Sequence, residues 1–159
     1  MANGPIIAGY DGSAEAARAI TEMAALVAKR EAVIVSVWEP HQAWQVVDPL
    51  MPLAPVDIRV RLTIEKELLE GAQRTAEQGA TVAREAGLVA EGIAVADDLS
   101  VAATLVRIAD ETQASAIAIG AHGHRALREL VLGSTTRDVI RDAPCPVVVA
   151  GPAEKGKAD

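Results

Sequence analysis

Aromatic side chains make up only 2% of this 159-residue chain, and phenylalanine is absent. The core must therefore be built from Ala, Val, Ile and Leu, which suits tightly packed helices on a buried sheet. Cysteine occurs once, at Cys145, which excludes an internal disulfide framework and a cysteine-built metal site. Flanked by Pro144 and Pro146, it reads as a small apolar residue entering a strand. No apolar run approaches the roughly 20 residues needed to span a membrane. The N-terminus lacks the basic-then-apolar layout of a signal peptide, so a soluble, cytoplasmic protein is expected, with no membrane partner. Positive charge is also short. The net charge of −7 argues against a nucleic-acid partner, whose phosphate backbone needs a basic surface. It leaves room for a single nucleotide, which a few backbone donors can hold.

What is present is an alternation of short apolar runs and helical patterns within a length that fits one domain. Pro5–Gly9 reads as a strand buried on both faces, ending in the polar loop Tyr10-Asp11-Gly12-Ser13. A helix follows from Ser13 or its neighbour, with Ala16, Ile20, Met23 or Ala24, and Val27 at helical spacing. Val33–Trp38 is a second strand, rich in β-branched residues. From Glu39 to Pro55, four prolines break regular structure in a segment unusually apolar for a loop. It reads as a flap packed on the domain or, more sharply, as a lid or partner contact. Asp57 can cap a long helix to about Ala86, with Leu62, Leu69, Ala72, Ala76, Ala80 and Ala83 as its buried stripe. Gly71 and Gly79 weaken that helix but allow close packing, and Gly87 stops it.

A third strand lies within Leu88–Val95, and Asp97 to Ser100 offers N-caps for a helix bearing Val101, Leu105, Ile108 and Ala109. Ala116–Ile119 is the fourth strand, Ser134–Asp142 a short helix, and Val147–Ala150 the fifth strand. Residues 1–151 form one domain, and 152–159 a polar, frayed tail. The alternation predicts an α/β fold: a doubly wound, five-stranded parallel sheet with helices on both faces. Ligands bind such sheets outside the carboxyl ends of the strands, where strand order reverses. An order of 3-2-1-4-5 would bring the loops after the first and fourth strands to one crevice.

The chain is organised around Gly120–Thr135, reading GAHGHRALRELVLGST. A strand tip, a loop punctuated by Gly120, Gly123 and Gly133, and a fresh helix start suit phosphate binding. Glycines let N–H groups approach an anion, and the helix start leaves donors unpaired. The spacing matches neither the dinucleotide fingerprint nor the Walker loop, since no Gly-Lys-Ser/Thr step presets a lysine. An Asp at position 11 can accept two hydroxyl hydrogen bonds from a ribose or can act as a helix cap. His122 and His124 have no catalytic partner or third metal ligand in view, so no catalytic residue or side-chain metal site is assigned. They read as solvated or phosphate-adjacent, with Arg125 and Arg128 as further phosphate contacts.

The pattern Gly120-x-x-Gly123-x9-Gly133-Ser134 resembles the signature of the nucleotide-binding universal stress proteins. The opening IIAGYDGS, the proline-broken segment and the closing Pro144-Cys-Pro-Val-Val-Val match the same family in order. The resemblance implies an adenine nucleotide alpha hydrolase-like fold. It also implies ATP as ligand, with Mg or Mn on the phosphates, and a homodimer through the edge strand Val147–Ala150. It places Asp11 on the sugar and base side, Gly9 at the adenine end and Val37 as an apolar wall. Gly120, Gly123, Gly133, Ser134 and Thr135 would hold the phosphates. One departure is Val95-Ala96-Asp97-Asp98, where family members often carry Gly, a polar residue and Pro. Those carboxylates would weaken affinity, help hold a cation, or simply favour a helix start.

The expected function is that of an ATP-binding stress-response or regulatory protein with weak ATPase activity at most and an unknown protein partner. The alternatives are a nucleotide-independent interaction module of the same fold and a slow ATP hydrolase or phosphotransferase.

Overall fold

A computed structural model describes residues 4–27, 30–40, 57–97, 99–122 and 132–151. The elements run β1 (Ile6–Gly9), α1 (Ala14–Leu26), β2 (Glu31–Trp38), α2 (Ile58–Glu85), β3 (Val89–Ala96), α3 (Val101–Glu111), β4 (Ala116–Gly120), α4 (Ser134–Asp142) and β5 (Val147–Ala150). The strands form one parallel sheet in the order β3-β2-β1-β4-β5. The predicted architecture and strand order are both present. The proline-broken residues 41–56, the loop residues 123–131, Asp98 and the tail 152–159 lie outside the described residues.

Alternation along the strands sorts side chains between two apolar layers. Ile6, Ala8 and Ile34 face α1 and α2, meeting Ala19, Ile20 and Met23 of the first and Ala80 and Ala83 of the second. Ile7, Val35, Ile117 and Ile119 face α3 and α4, meeting Leu105, Ile108 and Val139. Each fully buried Ile or Leu contributes about 1.5–3 kcal/mol. With no phenylalanine to fill space, the helices must come close. A Cβ on Gly92 of β3 would lie 2.5 Å from the backbone of Ala76, so α2 rests directly on that strand. Gly79 does the same from the helix side, where a Cβ would meet Ile34 and Tyr10 at 2.7 Å. Gly71 has no such sheet contact.

Short polar side chains start the helices. The Ser13 hydroxyl accepts from the Ala16 amide at 3.1 Å, Asp57 from Arg59 at 2.9 Å, and Ser100 from Ala103 at 3.1 Å. Gly87 follows α2 with φ +95, a conformation that glycine adopts without strain.

The expected burial of Leu62 and Leu69 is not observed; they are 55% and 42% exposed. Their helical phase is right, but the sheet is too short. An eight-residue strand spans roughly 26 Å, matched by about 17 helical residues, whereas α2 has 28. Counting back from Glu85, the sheet ends near residue 68, and the buried residues of α2 begin at Ala72. The first half of α2 therefore overhangs the carboxyl edge of the sheet, leaving Ile58, Leu62 and Leu69 uncovered.

Candidate functional site

Strands β1 and β4 are hydrogen-bonded neighbours with Ala8 opposite Ala118, so Gly9 and Gly120 leave the sheet side by side. From β1 the chain crosses to β2 on one side, while β4 and β5 lie on the other. This reversal of strand order is where a crevice forms at the carboxyl edge.

Two helix N-termini converge on the end of β4. The first turn of α1 lies against Gly120, where a Cβ would stand 3.0 Å from the Ala16 nitrogen and 3.1 Å from Glu15. The start of α4 is tied to the same point. Gly133 donates its amide to the Ala121 carbonyl at 2.9 Å, and the buried Thr136 hydroxyl reaches the Gly120 and Ala121 carbonyls at 2.9 and 3.2 Å. A Cβ on Gly133 would approach the Ala121 oxygen to 3.3 Å. The ends of the glycine segment are thus drawn together beside β1.

The two helix starts differ chemically. α1 has a capping hydroxyl and Glu15 in its first turn. α4 begins at Gly133 with no side-chain cap and no acidic residue in its first turn. Its leading amides carry the partial positive charge of the helix start without an internal carboxylate to answer it. That end is chemically suited to an anion.

Asp11 is exposed and its Oδ1 accepts from the Ser13 amide at 2.9 Å, which fixes the loop after β1. The helix cap is Ser13, not Asp11. Asp11 and Val37 line a common cleft of about 350 Å³ that runs between the end of β2 and α2, with Ser36, Trp38, Glu39, Glu67 and Thr75. Gly9 faces α3, and its Cβ position is taken up by the Leu105 side chain at 2.9 Å. Ser134 is exposed, Thr135 half-buried, and His122 half-buried. Gly123, His124, Arg125 and Arg128 lie outside the described residues.

Three contributors were not singled out from sequence. Glu15 accepts the His122 amide at 2.9 Å, and its Oε2 stands 3.4 Å from His122 Nδ1. Thr136 locks α4 to β4. Ser36 is 5% exposed at the cleft. A lone hydroxyl in the apolar run VIVSVW was the one sequence signal for Ser36. The departure noted after β3 places Asp97 at the carboxyl edge, its amide donating to the Trp38 carbonyl at 2.8 Å and its buried Oδ1 without a partner among the described residues. Among the described residues no group of three or more His, Cys, Asp or Glu is placed to hold a metal ion. The marked titration shifts lie away from this edge. Asp142 is held below the usual carboxylate range by the Arg141 hydrogen bond, and burial pushes the Cys145 thiol up.

An open parallel sheet with helices on both faces and a glycine-flanked helix start at its switch point defines a doubly wound α/β fold. A sequence model of the universal stress protein family matches residues 3–151, and the chain belongs to that family. Among solved structures it is similar to the universal stress protein UspA of Lactobacillus plantarum, at 20% identity over 94% of this chain and 99% of that one, with a TM-score of 0.67. It is similar to the universal stress protein of Archaeoglobus fulgidus in complex with dAMP, at 23% identity over 94% and 99%, with a TM-score of 0.58. It is also similar to a universal stress protein family member of Arabidopsis thaliana with AMP bound, at 12% identity over 98% and 97%, with a TM-score of 0.60. No curated protein matches the chain. Among the described residues no helix is long and apolar enough to cross a membrane.

Proposed function

We propose that this protein binds an adenine nucleotide, ATP in its working form, at the carboxyl edge where β1 and β4 diverge, and acts as a nucleotide-dependent stress-response or regulatory protein. The observation that carries the reading is the start of α4, uncapped and free of acidic residues, held against the end of β4. The phosphates lie at Ser134 and Thr135, with Gly120, Gly123 and Gly133 giving close approach, and His122, His124 and Arg125 adding contacts. Asp11 takes the ribose hydroxyls, and Val37 and Gly9 stand at the base end. The dAMP and AMP complexes of related folds support the ligand class. Mg or Mn would ride on the phosphates, because side chains supply no set of three ligands among the described residues. No Walker lysine is present in the chain, so hydrolysis is expected to be slow. Among the described residues the edge strand Val147–Ala150 pairs only with β4, and its other edge suits a homodimer. Residues 1–151 act as the binding domain and 152–159 as a tail.

Calorimetric titration of ATP and AMP into the wild type, Asp11→Asn and Gly133→Val tests the reading. Loss of binding in Gly133→Val and weakening in Asp11→Asn are expected. Equal affinity in all three would overturn the assignment. No binding to wild type, with no nucleotide released on denaturation, would favour the interaction module that needs no nucleotide.

A further inference from the structure

Glu15 holds an unusual place for a carboxylate in a phosphate site. It is not the cap of α1, because the Ser13 hydroxyl fills that role at the Ala16 amide. Its side chain reaches from the first turn of α1 to the end of β4, where Oε2 accepts the His122 amide at 2.9 Å and stands 3.4 Å from Nδ1. The two side chains are only 22% and 16% exposed. Arg18, one turn further along α1, is directed elsewhere: it donates to the Gly151 carbonyl at 2.9 Å and faces Glu22 at 3.5 Å. Among the described residues the Glu15 carboxylate is met by the His122 amide, the His122 ring and the start of its own helix. It sits where the chain leaves β4, one residue from Ala121, to which Gly133 at the head of α4 is bonded.

We propose that Glu15 discriminates among nucleotides by phosphate charge, opposing ATP more than AMP where no divalent cation neutralises the phosphates. The proposal rests on the nucleotide reading of the same site. The Glu15 carboxylate accepts the His122 amide, so it holds the end of β4 in shape. The same charge then acts against each further phosphate brought to the start of α4. A poorly exposed carboxylate is less screened than one in open water, so the effect outlasts moderate dilution of its field.

The test is titration of AMP and of ATP, in metal-free buffer at low salt, into the wild type and Glu15→Gln. Glutamine keeps an oxygen for the His122 amide and removes only the charge. ATP is expected to bind the variant several-fold more tightly, about fivefold for a phosphate charge brought within 4 Å at the dielectric of water. The change for AMP should be smaller, and the difference should shrink as salt rises. Glu15→Ala should move ATP affinity in the same direction, with melting curves confirming that both variants fold. AMP binding with an unaltered preference between AMP and ATP would overturn the role of Glu15 and leave the nucleotide reading standing. Weaker ATP binding in Glu15→Gln would overturn it too. Failure of both proteins to bind either nucleotide would overturn both readings.

Discussion

The hydroxyl of Thr136 lies 2.9 Å from the carbonyl oxygen of Gly120, joining the first turn of α4 to the last residue of β4. Thr136 is 2% exposed, so the bond is made out of water. Thr136→Val keeps the shape and removes the donor to the buried Gly120 carbonyl, while the Ala121 carbonyl keeps the Gly133 amide. The expected cost is about 1–3 kcal/mol of stability, with weaker nucleotide binding; Thr136→Ser should retain most of both. Urea denaturation and calorimetry on the two variants check this.

Glycines at the sheet are not equivalent. Gly92→Ala drives a methyl into the Ala76 backbone at 2.5 Å, which cannot rotate away. Gly9→Ala meets the tip of the Leu105 side chain at 2.9 Å, which can. Overpacking of the first kind costs about 1–3 kcal/mol or more. The ranking expected in thermal melts is Gly92→Ala well below Gly9→Ala, and Gly9→Ala below wild type.

The overhang of α2 makes a contrast within one stripe. Leu69→Gln, on the uncovered part, should change stability by about 0.5 kcal/mol or less. Ala76→Leu, on the covered part and fully buried, should cost about 1–3 kcal/mol. Chemical denaturation of both variants measures the difference.

Burial raises the Cys145 thiol above its ordinary value of 9.0. The unfolded thiol then ionises first as pH rises, so the unfolded state releases its proton while the native state keeps it. Stability from this group is intact below the ordinary value and declines above it. Urea midpoints of wild type and Cys145→Ala should run parallel up to about pH 8 and diverge by about pH 10, with the wild type falling faster.

Much of this arrangement was legible in the residues. Apolar runs bounded by Asp11-Gly12, Gly87 and Gly120 marked strands and their ends, and the helix-strand alternation with two polar loops pointed to β1 beside β4. The Ser13, Asp57 and Ser100 caps were visible because capping is local. Periodicity placed Leu62 and Leu69 on the correct face of α2 but could not say what lay opposite, since that depends on how far β2 and β3 extend. The Glu15 contact was invisible for a related reason. It spans 107 positions and exists only because two strands distant in the chain become neighbours. Gly9 illustrates a third limit: a glycine at a strand tip can serve a ligand or a neighbour, and here Leu105 occupies the space beside it.

The most direct test of the central claim is amide NMR of the uniformly labelled protein titrated with AMP. The account predicts saturable shifts concentrated at His122, Gly133, Ser134, Thr135 and Thr136, together with Asp11 and Val37. Shifts confined to other parts of the chain, or no shifts at all, would contradict a nucleotide held between the start of α4 and the end of β1.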